Sequence, residues 1–247
     1  MKTILNKKYY LFGIISIIIF WFVLAYIFKD NSFVIPSPIK TIDYLLYLLS
    51  KEYTYRCIYN SFKLMFIGFI IAFSFAIVCG IFSGNSKKIE DFISPFLLMV
   101  RSIPTISIVF IFIIISGYEN APILLVSVIS FPILYQGVLF GIKNINIDYI
   151  ESMRIDGASI IEENVYLRLP LSIPSIISSI MASFSLSFKV EIMAEVICGN
   201  YVKGLGSAIN GARIMDPTNM VPIFAYSLIA IMIMLIIDLF ANLLNNK

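Results

Sequence analysis

Histidine is absent from this 247-residue chain, and cysteine is scarce, with only three residues. Without histidine there can be no Ser-His-Asp triad, no Cys-His pair, and no zinc or haem site with a histidine ligand. Cys57, Cys79 and Cys198 are too few and too widely spaced for a disulfide framework or a metal site. We therefore expect no metal centre and no histidine-dependent catalysis.

Charge is scarce as well. Only 13% of the residues are Asp, Glu, Lys or Arg, whereas 60% are hydrophobic. In soluble domains about a quarter of all residues are charged. This composition excludes an ordinary cytosolic globular protein and a disordered one. The net charge of +3 is spread without a basic run, so nucleic acid is not expected as a partner.

Long apolar runs are what the chain has in abundance. A helix needs about 20 apolar residues to cross the hydrocarbon core. Strand-like alternation is absent, and backbone in lipid must satisfy its own hydrogen bonds, which favours helices. The sequence thus predicts an all-α polytopic membrane protein, a single transmembrane domain over 1–247 with about six transmembrane helices. The runs are 9–28, 64–86, 102–118, 120–142, 169–188 and 217–237.

The first run predicts a retained membrane anchor, because it is longer than a signal-peptide core and no small-residue cleavage site follows it. Lysines and arginines are slightly more numerous in the loops on the N-terminal side, where Lys2, Lys7 and Lys8 precede the first run. Positive charge favours the cytoplasmic side. We therefore expect a multi-pass protein of the cell membrane with both termini in the cytoplasm.

A polar segment, residues 143–170, interrupts the apolar runs and begins with a predicted short helix. Asn146 or Asp148 can cap the start of this helix. Gly157 is expected to end it, since glycine readily adopts the left-handed conformation of a helix stop.

A second short helix is predicted directly after the first. Ser159 and Glu162 have the spacing of a capping box, and the helix is expected to stop at Leu169-Pro170. Such a segment either lies on lipid headgroups or inserts into a partner protein. Its apolar side chains expected to be exposed are Ile150, Met153, Ile161 and Val165.

The spacing in this segment resembles the EAA loop of ABC importer permeases. The family pattern is E-A-A, three residues, G, nine residues, I, one residue, L-P. Glu151, Gly157, Leu169 and Pro170 fit it, and Leu167 replaces the isoleucine. Ser152 and Met153 replace the two alanines, which changes size more than chemistry. The resemblance implies that this coupling loop docks on an ATPase through Glu151, Ser152, Met153, Gly157, Ser159, Leu167, Leu169 and Pro170.

Further segments are similar to the nitrate/sulfonate/taurine-type branch of these permeases, and they cover nearly the whole chain. They are Pro36-Ser37-Pro38, Arg101-Ser102-Ile103-Pro104, Gly141, Lys189, Ala194-Glu195 and Gly204-Leu205-Gly206. The resemblance implies a type I, MetI-like fold and a second copy of the chain. It also implies a dimer of cytoplasmic ABC ATPases, an extracellular or periplasmic substrate-binding protein, and a small polar substrate. That substrate would be a sulfonate-, nitrate- or taurine-like anion or a vitamin precursor.

The chain lacks a phosphate-binding P-loop. The spacing of Gly199 and Gly204 matches the motif, but Leu205 stands where lysine is required. We therefore expect no cofactor on this chain, with ATP bound by the partner subunit, and no enzymatic activity.

Three groups of residues are candidates for a translocation path. The prolines are expected to kink their helices. The serines recur on one helix face and serve either close helix packing or a polar lining. The charged residues either line the path or lie in the outer headgroup region. These candidates are Pro104, Pro132, Ser179, Ser183, Ser187, Lys189, Glu191 and Glu195.

Two other function classes compete with the importer permease. A stand-alone secondary transporter predicts internal repeats and ionisable groups near the membrane midplane, and the sequence shows no evident repeat. A membrane-embedded enzyme is disfavoured because histidine is absent and no carboxylate pair lies deep in a predicted span.

Overall fold

The structure is a computed structural model that describes residues 7–28 and 34–245, and every regular element in these two ranges is a helix. Besides the α-helices, these ranges contain a π-helical turn, Glu163–Arg168, and a short 3-10 turn, Gly199–Tyr201. The helices are α1 (Lys7–Ile27), α2 (Pro38–Leu49), α3 (Glu52–Asn85), α4 (Lys87–Ser102), α5 (Thr105–Lys143), α6 (Ile147–Ile155), α7 (Ile160–Glu162), α8 (Leu169–Cys198), α9 (Leu205–Met215) and α10 (Val221–Asn245). Lys2 and residues 246–247, which entered the predicted orientation, lie outside the described ranges.

Four helical segments in the described part of the chain are long and apolar enough to cross a membrane: Glu52–Asn85, Thr105–Lys143, Ile160–Tyr201 and Val221–Ala241. The first predicted run corresponds to α1, which includes the apolar stretch Phe12–Ile27. Runs 102–118 and 120–142 both lie in α5, but a positive φ of 78° at Gly117 divides α5 into two helices. The two runs therefore remain separate helical segments, as predicted.

Contacts between α3 and α5 show how the chain crosses the molecule. Gly68 and Gly84 of α3 lie against Val126 and Ile142 of α5, so α3 runs parallel to residues 118–143. The chain must therefore return across the molecule between these two segments. Helix α4 and the first part of α5 make this return in two pieces.

Helix α8 packs antiparallel to α5. Ser172 of α8 lies against Gly141 of α5, and further along the two helices the Ser187 and Ser130 hydroxyls are 2.7 Å apart. Small residues at this contact let the two helices approach closely, as is common between membrane helices. Helices α3, α5 and α8 thus form the centre of the bundle, and α9 and α10 pack on α8.

Large apolar side chains cover much of the outside of the bundle. Phe75 is 63% exposed, Ile115 is 71% exposed and Leu235 is 60% exposed. Exposed apolar surface of this extent is unusual for a protein surrounded by water. It is the surface expected of helices surrounded by lipid.

Candidate functional site

Helix α6 is the first part of the predicted coupling loop. Asn146 caps it by accepting a hydrogen bond from the Asp148 backbone N–H at 3.1 Å. Gly157 follows the helix with a φ of 84°, a conformation that costs little for glycine and more for residues with a Cβ. The chain therefore turns sharply at Gly157 and starts again at Ser159.

The second part of the loop begins as predicted but ends differently. Ser159 and Glu162 form a complete capping box. The chain then continues without a stop through the π turn into α8, so the prediction of a helix end at Leu169-Pro170 is wrong. The reason is that Pro170 lies in the first turn of α8, where the missing backbone N–H and the fixed φ of proline are tolerated.

The side chains of this loop form a mixed polar and apolar surface. Glu151 and Ser152 are exposed and Met153 is half-buried. Ile150 is only 5% exposed, so the expectation that it lies on the surface is wrong; it faces the bundle and fixes α6 there. Exposed apolar side chains in a polar loop are unfavourable in water and typical of a docking surface. They are Ile147, Tyr149, Ile155, Ile160, Ile161, Val165 and Tyr166.

Among the other predicted coupling residues, Gly157, Ser159 and Pro170 are exposed, and Leu167 and Leu169 are half-buried. The structure thus brings the loop together on one end of the bundle, beside the C-terminal end of α5 and the start of α8. A cavity of about 830 Å³ adjoins it between α5, α6 and α8, with Gln136, Tyr149 and Pro174 in its wall.

The three candidate serines of α8 lie in the contact with α5. Ser183 and Ser187 are fully buried, and their hydroxyls donate to carbonyl groups of α8 itself. Ser179 packs against Gly137 of α5. These contacts fit the helix-packing interpretation, because all three side chains are buried among the described residues.

The two candidate prolines differ in their positions. Pro104 stands between α4 and α5, where it separates the two helices rather than kinking one. Pro132 is buried inside α5. The break in α5 lies at Gly117 instead of Pro132, because a positive φ redirects the chain, whereas an interior proline removes a single backbone hydrogen bond.

Glu195 is buried at the junction of α3, α8 and α9. Its carboxylate accepts hydrogen bonds from the Ser61 hydroxyl at 2.8 Å and from the Gly206 backbone N–H at 2.8 Å. The Ser61 oxygen in turn accepts from the Leu205 backbone N–H at 2.8 Å. One carboxylate thereby anchors the start of α9 to both long helices.

Glu191 lies one helical turn before Glu195 and is also fully buried. Neither of its carboxylate oxygens has a hydrogen-bond partner among the residues that the structure describes. Both glutamate carboxylates are therefore shielded from solvent within this chain. Lys189 differs from them because its side chain is exposed. A buried carboxyl group inside a membrane segment is costly and marks a candidate functional group.

Sequence reasoning missed the ion pairs of Glu163. This side chain is 2% exposed and contacts the guanidinium groups of Arg154 and Arg168. Glu163 and Arg168 are five residues apart, a spacing that places two side chains on different faces of an α-helix. The pairing therefore depends on the π turn, for which the sequence gives no signal.

Comparison with known proteins agrees with this architecture. The relative SsuC of Bacillus subtilis, whose name assigns it to the transport of aliphatic sulfonates, is 25% identical over 232 residues; the match covers 94% of this chain and 83% of SsuC. A chain of the MetNI methionine ABC transporter in an inward-facing conformation has a TM-score of 0.66 at 16% identity and covers 82% of this chain and 96% of its own length. A chain of a bacterial ABC transporter that imports the acidic polysaccharide alginate has a TM-score of 0.66 at 16% identity, covering 98% of this chain and 96% of its own length.

These likenesses confirm the predicted fold, that of an ABC importer permease. A family model, described as the inner membrane component of binding-protein-dependent transport systems, matches residues 76–247, which include the coupling loop and every candidate path residue. The chain is a multi-pass membrane permease subunit of an ABC importer: it belongs to the family of binding-protein-dependent transport system inner membrane components.

Proposed function

We propose that two copies of this chain form the membrane path of an importer that is driven by a pair of cytoplasmic ABC ATPases. The observation that carries the proposal is the loop of α6, α7 and the π turn, which presents exposed apolar and charged side chains at one end of the bundle. The chain has no P-loop, so ATP hydrolysis has to drive it through contact between the coupling loop and a separate ATPase. We expect no cofactor and no catalytic activity on this chain.

We further propose that the cargo is a small polar anion of the aliphatic sulfonate class, delivered by an external binding protein. The name of the B. subtilis relative supports this class. Nitrate, a taurine-like anion and a vitamin precursor are the other candidates that the sequence resemblance implied. Ethanesulfonate is a suitable first probe, because it carries the sulfonate group on a minimal apolar chain.

For the membrane path, we propose the surfaces that two copies enclose between them. Ser179, Ser183, Ser187 and Pro132 then support the path from behind, since they are buried within one chain. Lys189 is exposed and can contact cargo directly. Glu195 holds the end of α8 against the start of α9, and Glu191 lies one helical turn before it.

The test is purification of the tagged chain from its native membranes, followed by identification of the proteins that accompany it. We expect an ABC ATPase in the purified complex and uptake of labelled ethanesulfonate in liposomes that contain the complex and its binding protein. Uptake should stop when ATP is depleted and continue when an uncoupler is added.

The buried and unpartnered Glu191 is the one observation that also suits a proton-driven secondary transporter, which uses intramembrane carboxyl groups. The same experiment separates the two functions. Uptake that stops with the uncoupler and continues without ATP would favour the secondary transporter and contradict the proposed function.

The proposed orientation places the coupling loop and both termini in the cytoplasm and α9 near the outer side. Single cysteines at positions 162 and 203 test it in a variant in which Cys57, Cys79 and Cys198 are replaced, because Glu162 and Lys203 are both exposed. In intact cells a membrane-impermeant maleimide should label position 203 at least about tenfold faster than position 162. The reverse pattern would contradict both the orientation and the docking of an ATPase on this loop.

A further inference from the structure

One carboxylate connects the two helices of the coupling loop. Glu163 Oε2 accepts from Arg154 Nε at 3.0 Å, and Glu163 Oε1 accepts from Arg168 Nε at 2.6 Å. We call these three side chains the Glu163 cluster. Arg154 lies on α6, whereas Arg168 immediately precedes α8. The cluster therefore bridges the turn at Gly157 and ties α6 to the start of a long membrane helix.

The same region also contacts the end of α3. Arg168 Nη1 lies 3.5 Å from the Gly84 carbonyl oxygen, and Asn85 Nδ2 donates to Asn164 Oδ1 at 2.9 Å. Three elements, α6, α8 and α3, thus meet around the π turn. A displacement of α6 would act on both long helices through these contacts.

The cluster and the π turn depend on each other. In an α-helix, residues five apart point about 140° away from one another, so Glu163 and Arg168 would not meet. The wider π turn brings them onto the same side. A single π turn within an otherwise α-helical stretch is rare and occurs often at functional sites. The ion pair therefore favours the π turn over the competing α-helical geometry.

Burial makes the carboxylate of Glu163 difficult to replace. The Glu163 side chain is 2% exposed and the Arg168 side chain is 10% exposed. Removing the negative charge would leave the Arg168 guanidinium buried without a counter-ion, which is strongly unfavourable. Arg154 is different because its side chain is 57% exposed and can be changed without leaving a buried charge.

We propose that Glu163 is a positioning residue that makes α6 and the start of α8 move as one body. This inference rests on the proposed function, because it assigns Glu163 a role in carrying the motion of a docked ATPase into the membrane helices. Neither Glu163 nor Arg154 has to touch the ATPase or the cargo for this role. Together they supply a rigid connection across the turn at Gly157.

The experiment compares Glu163→Gln with Glu162→Gln in the complex purified with its ATPase. Glu162 is the adjacent acidic residue, is exposed, and keeps its capping role as glutamine. Hydrogen–deuterium exchange of peptides covering α6 and residues 163–175 is measured without nucleotide and after trapping with MgATP and vanadate. A second variant, Arg154→Gln, breaks the link to α6 while Arg168 keeps its counter-ion, so it remains informative if Glu163→Gln fails to fold.

We expect trapping to change exchange in both regions in the unmodified complex and in Glu162→Gln. In Glu163→Gln and Arg154→Gln the change should be confined to α6, and nucleotide-free exchange in α6 should rise on the order of tenfold. A merely structural role would lower the yield of complex without confining the nucleotide response. Wild-type responses in both regions of Arg154→Gln would overturn the proposal. If no ATPase accompanies the unmodified chain, the proposed function fails. The link between α6 and α8 can then be tested on the chain alone, and it would be overturned if hydrogen exchange in α6 of Arg154→Gln equals that of the unmodified chain without nucleotide.

Discussion

Gly206→Ala is expected to destabilise the protein by about 1–3 kcal/mol or more, the usual cost of forcing extra atoms into a packed site. A Cβ at this position would stand 2.3 Å from the Ile192 carbonyl oxygen and 2.7 Å from the Glu195 Cβ. Both atoms are held by the backbone of α8 and have no freedom to rotate away. The clash would separate α9 from α8 and lengthen the hydrogen bond from the Gly206 N–H to Glu195.

Gly211→Ala is the matched control for this prediction. Gly211 lies on the same helix, α9, and an added Cβ there would meet its nearest neighbour, Asn200 Oδ1, at 3.8 Å, an ordinary contact distance. Alanine favours a helix over glycine by up to about 1 kcal/mol, so this variant should be as stable as the unmodified chain or more so. Thermal unfolding of the two variants in detergent measures the difference, and equal midpoints would contradict the close contact between α8 and α9.

The burial of Glu191 and Glu195 could not be predicted from the sequence. The apolar run ends at residue 188, which placed both glutamates at the edge of the predicted span. Helix α8 continues to Cys198, and α9 folds back against its end. Because α9 is short and carries no long apolar run, nothing in the sequence indicated that a second element would cover the Glu195 carboxylate. This burial is a tertiary contact that no local pattern encodes.

Most of the coupling loop was predictable because its signals are local. The capping box at Ser159 and the turn at Gly157 each depend on a few neighbouring residues, and both are present. The π turn was not predictable, because its stabilising pair, Glu163 and Arg168, has a spacing that α-helical reasoning disregards. The false helix end at Pro170 has a different origin, because Pro170 lies in the first turn of α8, where proline does not end a helix.

The serines of α8 show a different limit. Their four-residue period correctly predicts a shared helix face, but it does not say what that face meets. The partner surface consists of Gly137, Gly141 and Ser130 on α5, far away in sequence. The small residues of α8 pack against those of α5. Close helix packing therefore accounts for the serine period, although a serine-lined polar path would have given the same period in the sequence.

Glu151→Ala is expected to reduce transport per assembled complex by about five- to tenfold, within the range typical of coupling between distant sites. Glu151 is exposed on α6 and has no hydrogen bond or ion pair with any described residue of this chain. Its carboxylate is therefore available to a partner, unlike that of Glu163. If it contacts the ATPase, its loss should weaken the stimulation of ATP hydrolysis by the loaded binding protein. The affinity of the isolated binding protein for its ligand should not change.

Asp156→Asn is the control, because Asp156 is an exposed acidic residue on the same loop, just after α6. A substitution that alters only a solvated surface charge shifts stability by no more than about 0.5 kcal/mol, and transport per complex should then stay near that of the unmodified protein. Transport and stimulated ATP hydrolysis are measured in one liposome preparation and normalised to the amount of intact complex. Glu151→Ala values equal to those of Asp156→Asn would show that the Glu151 carboxylate has no part in coupling. Docking of the ATPase would then depend on the exposed apolar side chains of the loop, such as Ile155 and Ile161, which are 85% and 75% exposed.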